Sequence, residues 1–252
     1  MKILVGCKLV PEDQDIKVNN DGSLDTSKAS PKISQFDLNA IEAAVEIKKN
    51  NAESTICAVS IGGKSLDNVK SRKDMLSRGP DELVIVSDEK YENILPHQTA
   101  KIFAETAKNV GFDLILCGDG SGDIYAQQTG VRLGAILNVS VVNAVSKIVS
   151  VEEDKLVVER ALENEIEVLE VSLPAVISVS ADINQPSIPG MKAIIGAGKK
   201  PVNTMSSEED NQDLVELVDI KAPKKKERQH IIIEGDSDDK ISEFVSHLRK
   251  II

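Results

Sequence analysis

The sequence has 252 residues, 41% of them hydrophobic and 28% charged, a balance that sustains a buried core and excludes wholesale disorder or a fibrous chain. Its 41 acidic residues against 30 basic ones give a net charge of −11, which opposes binding to a polyanion through any broad surface and excludes nucleic acid as a partner. Aromatic residues make up 2% of the chain, too few for a base-stacking platform.

Met1 is followed directly by a strand-like run, Ile3 to Val10, without the apolar stretch and small-residue cleavage site of a secretory leader; this points to a cytoplasmic, bacterial-type protein. Ser34 to Asp37 supplies a helix entry, and Leu38, Ile41 and Val45 then recur at helical spacing up to Lys49. Thr55 to Ile61, Leu83 to Val86 and Asp113 to Cys117 read as further strands. Between them, Leu66 to Leu76 stops before Ser77-Arg78-Gly79-Pro80, and Leu95 to Val110 stops at Gly111, both as helices. Tyr125 to Leu137 reads as another helix, which puts Gln127, Gln128 and Thr129 in its first turn. The alternation of strand and helix predicts a doubly wound α/β fold with a mostly parallel sheet.

Beyond residue 140 the period changes. Val145 to Val151, a turn at Glu152 to Lys155, and Leu156 to Arg160 predict a hairpin, and Glu165 to Leu173 alternates after it, as antiparallel additions to the sheet. Ala175 to Ser180 is one more apolar strand, and Asp182 to Lys192 carries two prolines and a glycine, as an irregular loop does. Val202 to Arg228 is polar and aperiodic, a surface arm. Ile241, Phe244, Val245 and Leu248 then recur at helical spacing behind Ser237-Asp238-Asp239, forming a C-terminal amphipathic helix. The expected division is a domain over 1–200 and a C-terminal arm plus helix over 201–252. No apolar run approaches the ~20 residues of a membrane-spanning helix.

In a parallel α/β sheet the ligand crevice lies at the carboxyl ends of the strands, where the winding reverses. Three strands end in glycine-bearing segments: Gly6-Cys7-Lys8, Ser60-Ile61-Gly62-Gly63 and Cys117-Gly118-Asp119-Gly120-Ser121-Gly122-Asp123. Glycine lets backbone amides approach a phosphate, and a following helix offers unpaired N–H groups. The last segment is neither GxGxxG nor a P-loop, because its glycines alternate and no Gly-Lys-Ser/Thr follows. Asp119, Ser121 and Asp123 mimic an EF-hand start, but Ile124 and Gly130 occupy the turn and twelfth positions, so no metal is assigned. The three histidines, His97, His230 and His247, fall in polar company and are read as surface residues. Cys7, Cys57 and Cys117 lie in apolar strands as buried small hydrophobes, spaced for neither disulfides nor zinc. Lys224-Lys225-Lys226 is a solvated charge run. No catalytic cluster emerges.

Val158-Glu159-Arg160, Glu163, Glu165, Glu167, Leu169 and Pro174-Ala175-Val176-Ile177 follow a family signature in order and spacing. With Lys2 to Pro11, Ser34 to Asp37, Gln128-Thr129-Gly130 and Pro189-Gly190-Met191-Lys192-Ala193, they make the chain similar to the β (small) subunit of electron transfer flavoproteins over nearly its whole length. The bacterial branch associated with nitrogen fixation and carnitine metabolism is the nearest in pattern. The resemblance implies an adenine-nucleotide-hydrolase-like α/β fold and a heterodimer whose α subunit holds most of the redox-active FAD. It implies that this subunit binds AMP or the ADP half of a second FAD, and that electrons pass from acyl-CoA dehydrogenase-type partners, with electron bifurcation as one form of the activity.

Carried over by position, the cofactor contacts are Gly6, Ser34, Gln35, Phe36, Asp37, Ile61, Gly118, Asp119, Gly120, Ser121, Gly122, Asp123, Ile124, Tyr125, Ala126, Gln127, Gln128 and Thr129. The resemblance further implies that Ile188, Pro189 and Met191 form a docking loop for dehydrogenases, and that the arm and final helix wrap the α subunit. It implies a carrier without a catalytic side chain of its own. The competing reading is a stand-alone adenine-nucleotide sensor of the same fold, which needs only the glycine loop.

Overall fold

The computed structural model describes residues 1–208, 215–224 and 230–250, and every count below refers to these. The opening apolar run divides into β1 (Lys2–Gly6) and β2 (Leu9–Pro11). It is not one strand, because the Asp37 carboxylate takes the Lys8 amide at 2.7 Å and turns the chain out of the sheet. After a short ladder of β3 (Lys17–Val18) and β4 (Leu24–Asp25), β5 (Pro31–Ile33) pairs antiparallel with β2.

Then come α1 (Gln35–Asn50), β6 (Thr55–Gly62), α2 (Val69–Ser77), β7 (Glu82–Ser87), α3 (Pro96–Val110), β8 (Leu114–Gly118) and α4 (Thr129–Leu137). The helix expected over Leu66 to Leu76 is split. Lys64–Asp67 makes a 3-10 turn and α2 starts afresh, because the Asn68 side chain accepts the Lys70 amide at 2.8 Å as an N-cap. Next follow β9 (Ser140–Val151), β10 (Lys155–Ala161), β11 (Ile166–Ser172), β12 (Ala175–Val179), α5 (Met191–Ala197) and β13 (Val202–Met205). The irregular loop therefore ends at Gly190 and not at Lys192, and the first residues of the expected arm are a strand.

The main sheet has the order β11-β10-β9-β12-β8-β1-β6-β7-β13. From β9 to β13 all neighbours are parallel, while β10 is antiparallel to β9 and to β11. The hairpin is present as expected, but its first strand is itself a parallel neighbour of β12. Alternation along β1 feeds both faces. Ile3, Val5 and Cys7 pack with Ala40, Ile41, Ala44, Met75 and Leu76, whereas Leu4 packs with Ala100, Phe103, Ala107 and Leu133. Covering both faces is what a parallel sheet requires, and each fully buried Leu or Ile contributes roughly 1.5–3 kcal/mol.

His97, expected at the surface, is 7% exposed. It falls in register with Ala100, Ala104 and Ala107 on the inner stripe of α3, where period outweighs polarity. The winding runs from β1 to β6 and β7 on one side and returns to β8 on the other, so it reverses between β1 and β8.

The chain forms two compact units, Met1–Lys17 with Asp25–Val218, and Val18–Leu24 with Asp219–Ile252. In the second, Ser23 bridges Lys221 and Gly22, at φ 84°, accepts the Ala222 amide at 2.9 Å. Its helix, α6 (Asp238–Leu248), carries Ile241, Phe244, Val245 and Leu248 as an exposed stripe. Residues 209–214 and 225–228 of the expected arm, Lys225 and Lys226 of the lysine run, and Ile251 and Ile252 lie outside the described residues. No helix among those described is long and apolar enough to cross a membrane.

Candidate nucleotide-binding rim

The carboxyl ends of β1 and β8 meet the start of α1 at the switch point, and the closeness is enforced by Gly118. A Cβ there would lie 2.5 Å from Phe36 Cβ, 2.8 Å from the Phe36 carbonyl carbon and 2.9 Å from Asp37 Oδ1. Gly6 is also tight: a Cβ would come within 3.2 Å of the Phe103 ring and 3.4 Å of Cys117 Sγ. Gly122 is different, since a Cβ there would meet only Val10, at an ordinary 3.7 Å.

Asp37 pins the rim from below. Its two oxygens accept the amides of Lys8 (2.7 Å) and Gly118 (3.2 Å), tying the end of β8 to the chain just beyond β1. Burial pushes its carboxyl up to about 7, against the opposing pull of those two amides and of the Lys8 ammonium. Asp37 is thus a structural brace of the rim, with both oxygens already engaged.

Above it, Lys8 Nζ pairs with Asp123 Oδ2 at 2.6 Å, while Ser121 Oγ and the Ile124 amide donate to Asp123 Oδ1 at 2.5 and 2.8 Å. Burial alone would raise the Asp123 carboxyl, but the Lys8 ammonium and Ser121 hydroxyl outweigh it and hold it low. Lys8 was not singled out by sequence reasoning as a site residue; its signal was the position two residues after the strand-ending Gly6.

The helix expected from Tyr125 begins only at Thr129. Tyr125 (φ 49°) and Gln127 (φ 55°) are in the left-handed region, which no helix accommodates and which costs a side-chain-bearing residue energy. Gln127 therefore lies outside the helix and Gln128 at its N-cap, without a capping side-chain bond; Gln128 Oε1 instead accepts Arg132 Nε at 3.0 Å. The strained turn lays the Tyr125 ring 5.1 Å from the Phe36 ring and above Gly120, where a Cβ would fall 2.2 Å from the Tyr125 ring. Gln127 Nε2 reaches Asp119 Oδ2 and the Tyr125 hydroxyl at 3.5 Å each.

Two polar atoms at the rim are buried without a hydrogen-bond partner: Ser34 Oγ, on a fully buried residue, and Asp119 Oδ1. Ser34 is the N-cap of α1 yet makes no capping bond with its side chain. Buried orphans of this kind call for a partner. Asp119 can accept from a ribose hydroxyl or an amino group, Ser34 can donate or accept, and the uncapped starts of α1 and α4 offer free amides and positive dipole ends to a phosphate. These features fit an adenosine phosphate.

The structure thus brings Gly6, Ser34, Phe36, Asp37, Gly118 and the segment Asp119 to Tyr125 together around one rim, with Lys8 among them. Gln35 is exposed, Ala126 half-buried, Ile124 and Gln128 exposed, and Thr129 half-buried; these stand along the same segments. Ile61, near the end of β6, is half-buried and packs against the core group of Leu4, Ala100 and Phe103 and against that of Val86, Tyr91 and Ile102. Ile188 and Pro189 sit apart, on the loop that follows β12, and Met191 is the first residue of α5 after it; Ile188 is 92% and Met191 72% exposed. Burial pushes the Cys117 thiol up to about 12, and raises that of Cys7 as well, so neither is a thiolate nucleophile. Among the described residues no group of three or more His, Cys, Asp or Glu is placed to hold a metal ion.

Compared with known families, the chain matches the electron transfer flavoprotein domain over residues 21–210. That span takes in the start of α1, the glycine segment after β8, the hairpin and the exposed loop. The doubly wound sheet, its amide-rich rim and this match lead to one assignment: the chain belongs to the electron transfer flavoprotein family.

Proposed function

We propose that the chain is the β subunit of a heterodimeric electron transfer flavoprotein of the bacterial branch associated with nitrogen fixation and carnitine metabolism. In this reading it passes electrons between acyl-CoA dehydrogenase-type partners and other carriers, and its own site takes AMP or the ADP half of a second FAD. The observation that carries the nucleotide assignment is the buried, unpartnered Ser34 hydroxyl beside a glycine rim at the point where the sheet's winding reverses.

Bound flavin supplies the one- and two-electron chemistry; this chain supplies binding, orientation and electrostatics. Amides at the starts of α1 and α4 would hold the phosphate, Asp119 and Ser34 would meet polar groups of the adenosine, and Lys8 balances charge at Asp123. No side chain acts as acid, base or nucleophile. Ile188 serves as the apolar anchor for a redox partner; a small exposed contact suits complexes that form and release quickly.

The test is to co-express the chain with its complementary subunit, extract the yellow heterodimer and count FAD and AMP per dimer. One FAD with one AMP, or two FAD, supports the reading, and the second result assigns the bifurcating form. A colourless chain that stays monomeric beside the other subunit, or a dimer whose β site holds no nucleotide, sinks it.

A further inference from the structure

Helix α1 does more than open at the rim. One turn beyond Asp37, Asn39 and Glu42 lie three residues apart on one face and reach the segment that carries Ile188. Asn39 Nδ2 donates to the backbone oxygens of Ala181 (3.2 Å) and Asn184 (2.8 Å) and to Asn184 Oδ1 (3.1 Å). Asn184 Nδ2 returns a bond to the Asn39 carbonyl at 3.0 Å. Glu42 Oε2 accepts the Ser187 amide at 3.0 Å, and Glu42 Oε1 has Lys49 Nζ at 3.6 Å.

Both side chains are buried, Asn39 at 1% and Glu42 at 6% exposure. A carboxylate is expensive to bury, and an apolar residue on the inner face of a core helix is often as stable or more so. What the two polar residues secure is local. They fix the chain at Ala181, Asn184 and Ser187, and the next residue, Ile188, projects into solvent between Pro186 and Pro189, whose rings stiffen the backbone. An anchor held in its docking geometry avoids the ordering cost on association.

We infer that Asn39 and Glu42 are positioning residues for partner docking: they clamp the 184–190 loop to α1 so that Ile188 is presented ready-formed. This rests on the reading of Ile188 as the anchor. The experiment uses the co-expressed heterodimer with Asn39→Ala, Glu42→Ala, Glu42→Gln and Ile188→Ala, an acyl-CoA dehydrogenase as donor, and hydrogen exchange across 184–190.

E42A, which removes the one bond from the Ser187 amide, should raise KM for the heterodimer as electron acceptor about tenfold. N39A, which removes the Nδ2 bonds to Ala181 and Asn184, should raise it by at least as much, with kcat, flavin and nucleotide content unchanged in both. The Ser187 amide should exchange about tenfold faster in E42A, and E42Q, which keeps an acceptor oxygen, should restore both values to within about twofold. Unchanged exchange in N39A and E42A overturns the clamp. So does an unchanged KM in both when I188A raises it. An unchanged KM in I188A overturns the docking reading, and this inference with it.

Discussion

At the scale of single residues, Asp37 combines burial with two backbone bonds, and its raised carboxyl makes stability depend on pH. The folded chain keeps a proton that the unfolded one releases above about pH 4, so the associated stabilisation is complete below that value. It is lost as pH rises through about 7. Denaturant midpoints measured from pH 5 to 8 should fall by more in the wild type than in Asp37→Asn. The variant itself should start lower at pH 5 by about 1–3 kcal/mol, since its amide nitrogen faces one of the two N–H donors. Parallel curves for the two proteins would remove Asp37 as the titrating group.

Gly118 and Gly120 separate packing from access. Gly118→Ala drives a methyl into the backbone of Phe36, so α1 must shift; a loss of about 1–3 kcal/mol in unfolding free energy is expected, together with lower nucleotide content. At Gly120 the three atoms nearest a new Cβ all belong to the Tyr125 side chain and not to backbone, so in Gly120→Val nucleotide retention should fall with a smaller change in melting temperature. Full nucleotide content in G120V would refute the loop assignment.

At the scale of elements, α4 lies close on the sheet because two glycines face it: a Cβ at Gly130 would fall 2.1 Å from Ser178 Oγ, and one at Gly134 2.1 Å from Val141 Cγ2. Gly130→Ala alone should therefore destabilise, by about 1–3 kcal/mol. With Ser178→Ala added, the nearest remaining Ser178 atom is its Cβ, at an ordinary 3.5 Å, and alanine's helix preference of about 1 kcal/mol over glycine should bring the double variant back to wild-type stability or above. Chemical denaturation of the four-member cycle measures this; additive losses would place the strain elsewhere.

Elements are also where sequence reasoning met its limit. Apolar period alone located β6, β7 and β8 to within a residue at either end, since a strand buried on both faces must be apolar throughout. The interruption at Lys8 was not visible, because its cause is a carboxylate 29 residues away. Tyr125 and Gln127 hid the late start of α4, as nothing about either side chain announces a left-handed backbone. β13 escaped notice as four residues whose middle pair, Asn203 and Thr204, is polar. At the rim, the glycines were legible, whereas the orphaned Ser34 hydroxyl and the Lys8–Asp123 pair needed the fold. The clamp at Asn39 and Glu42 gave no local signal at all.

At the scale of the whole molecule, α6 leaves Phe244 at 55% and Leu248 at 45% exposure on one stripe, and a contiguous exposed apolar patch marks an interaction surface. Phe244→Asp with Leu248→Asp should abolish association with the complementary subunit in sedimentation while the main melting transition stays within about 2 °C, as surface substitutions usually do. Intact association would free the C-terminal helix from that role.

The far border of the main sheet has a consequence of its own. Among the described residues no strand pairs beyond β11, and one of its faces shows Ile166 and Val168, both 65% exposed, beside Glu170. An exposed edge strand with an apolar face is a template for strand addition, and charged neighbours are a common means of discouraging it. Produced alone and concentrated, this polypeptide should therefore self-associate along that border, and the soluble fraction recovered should fall as concentration rises.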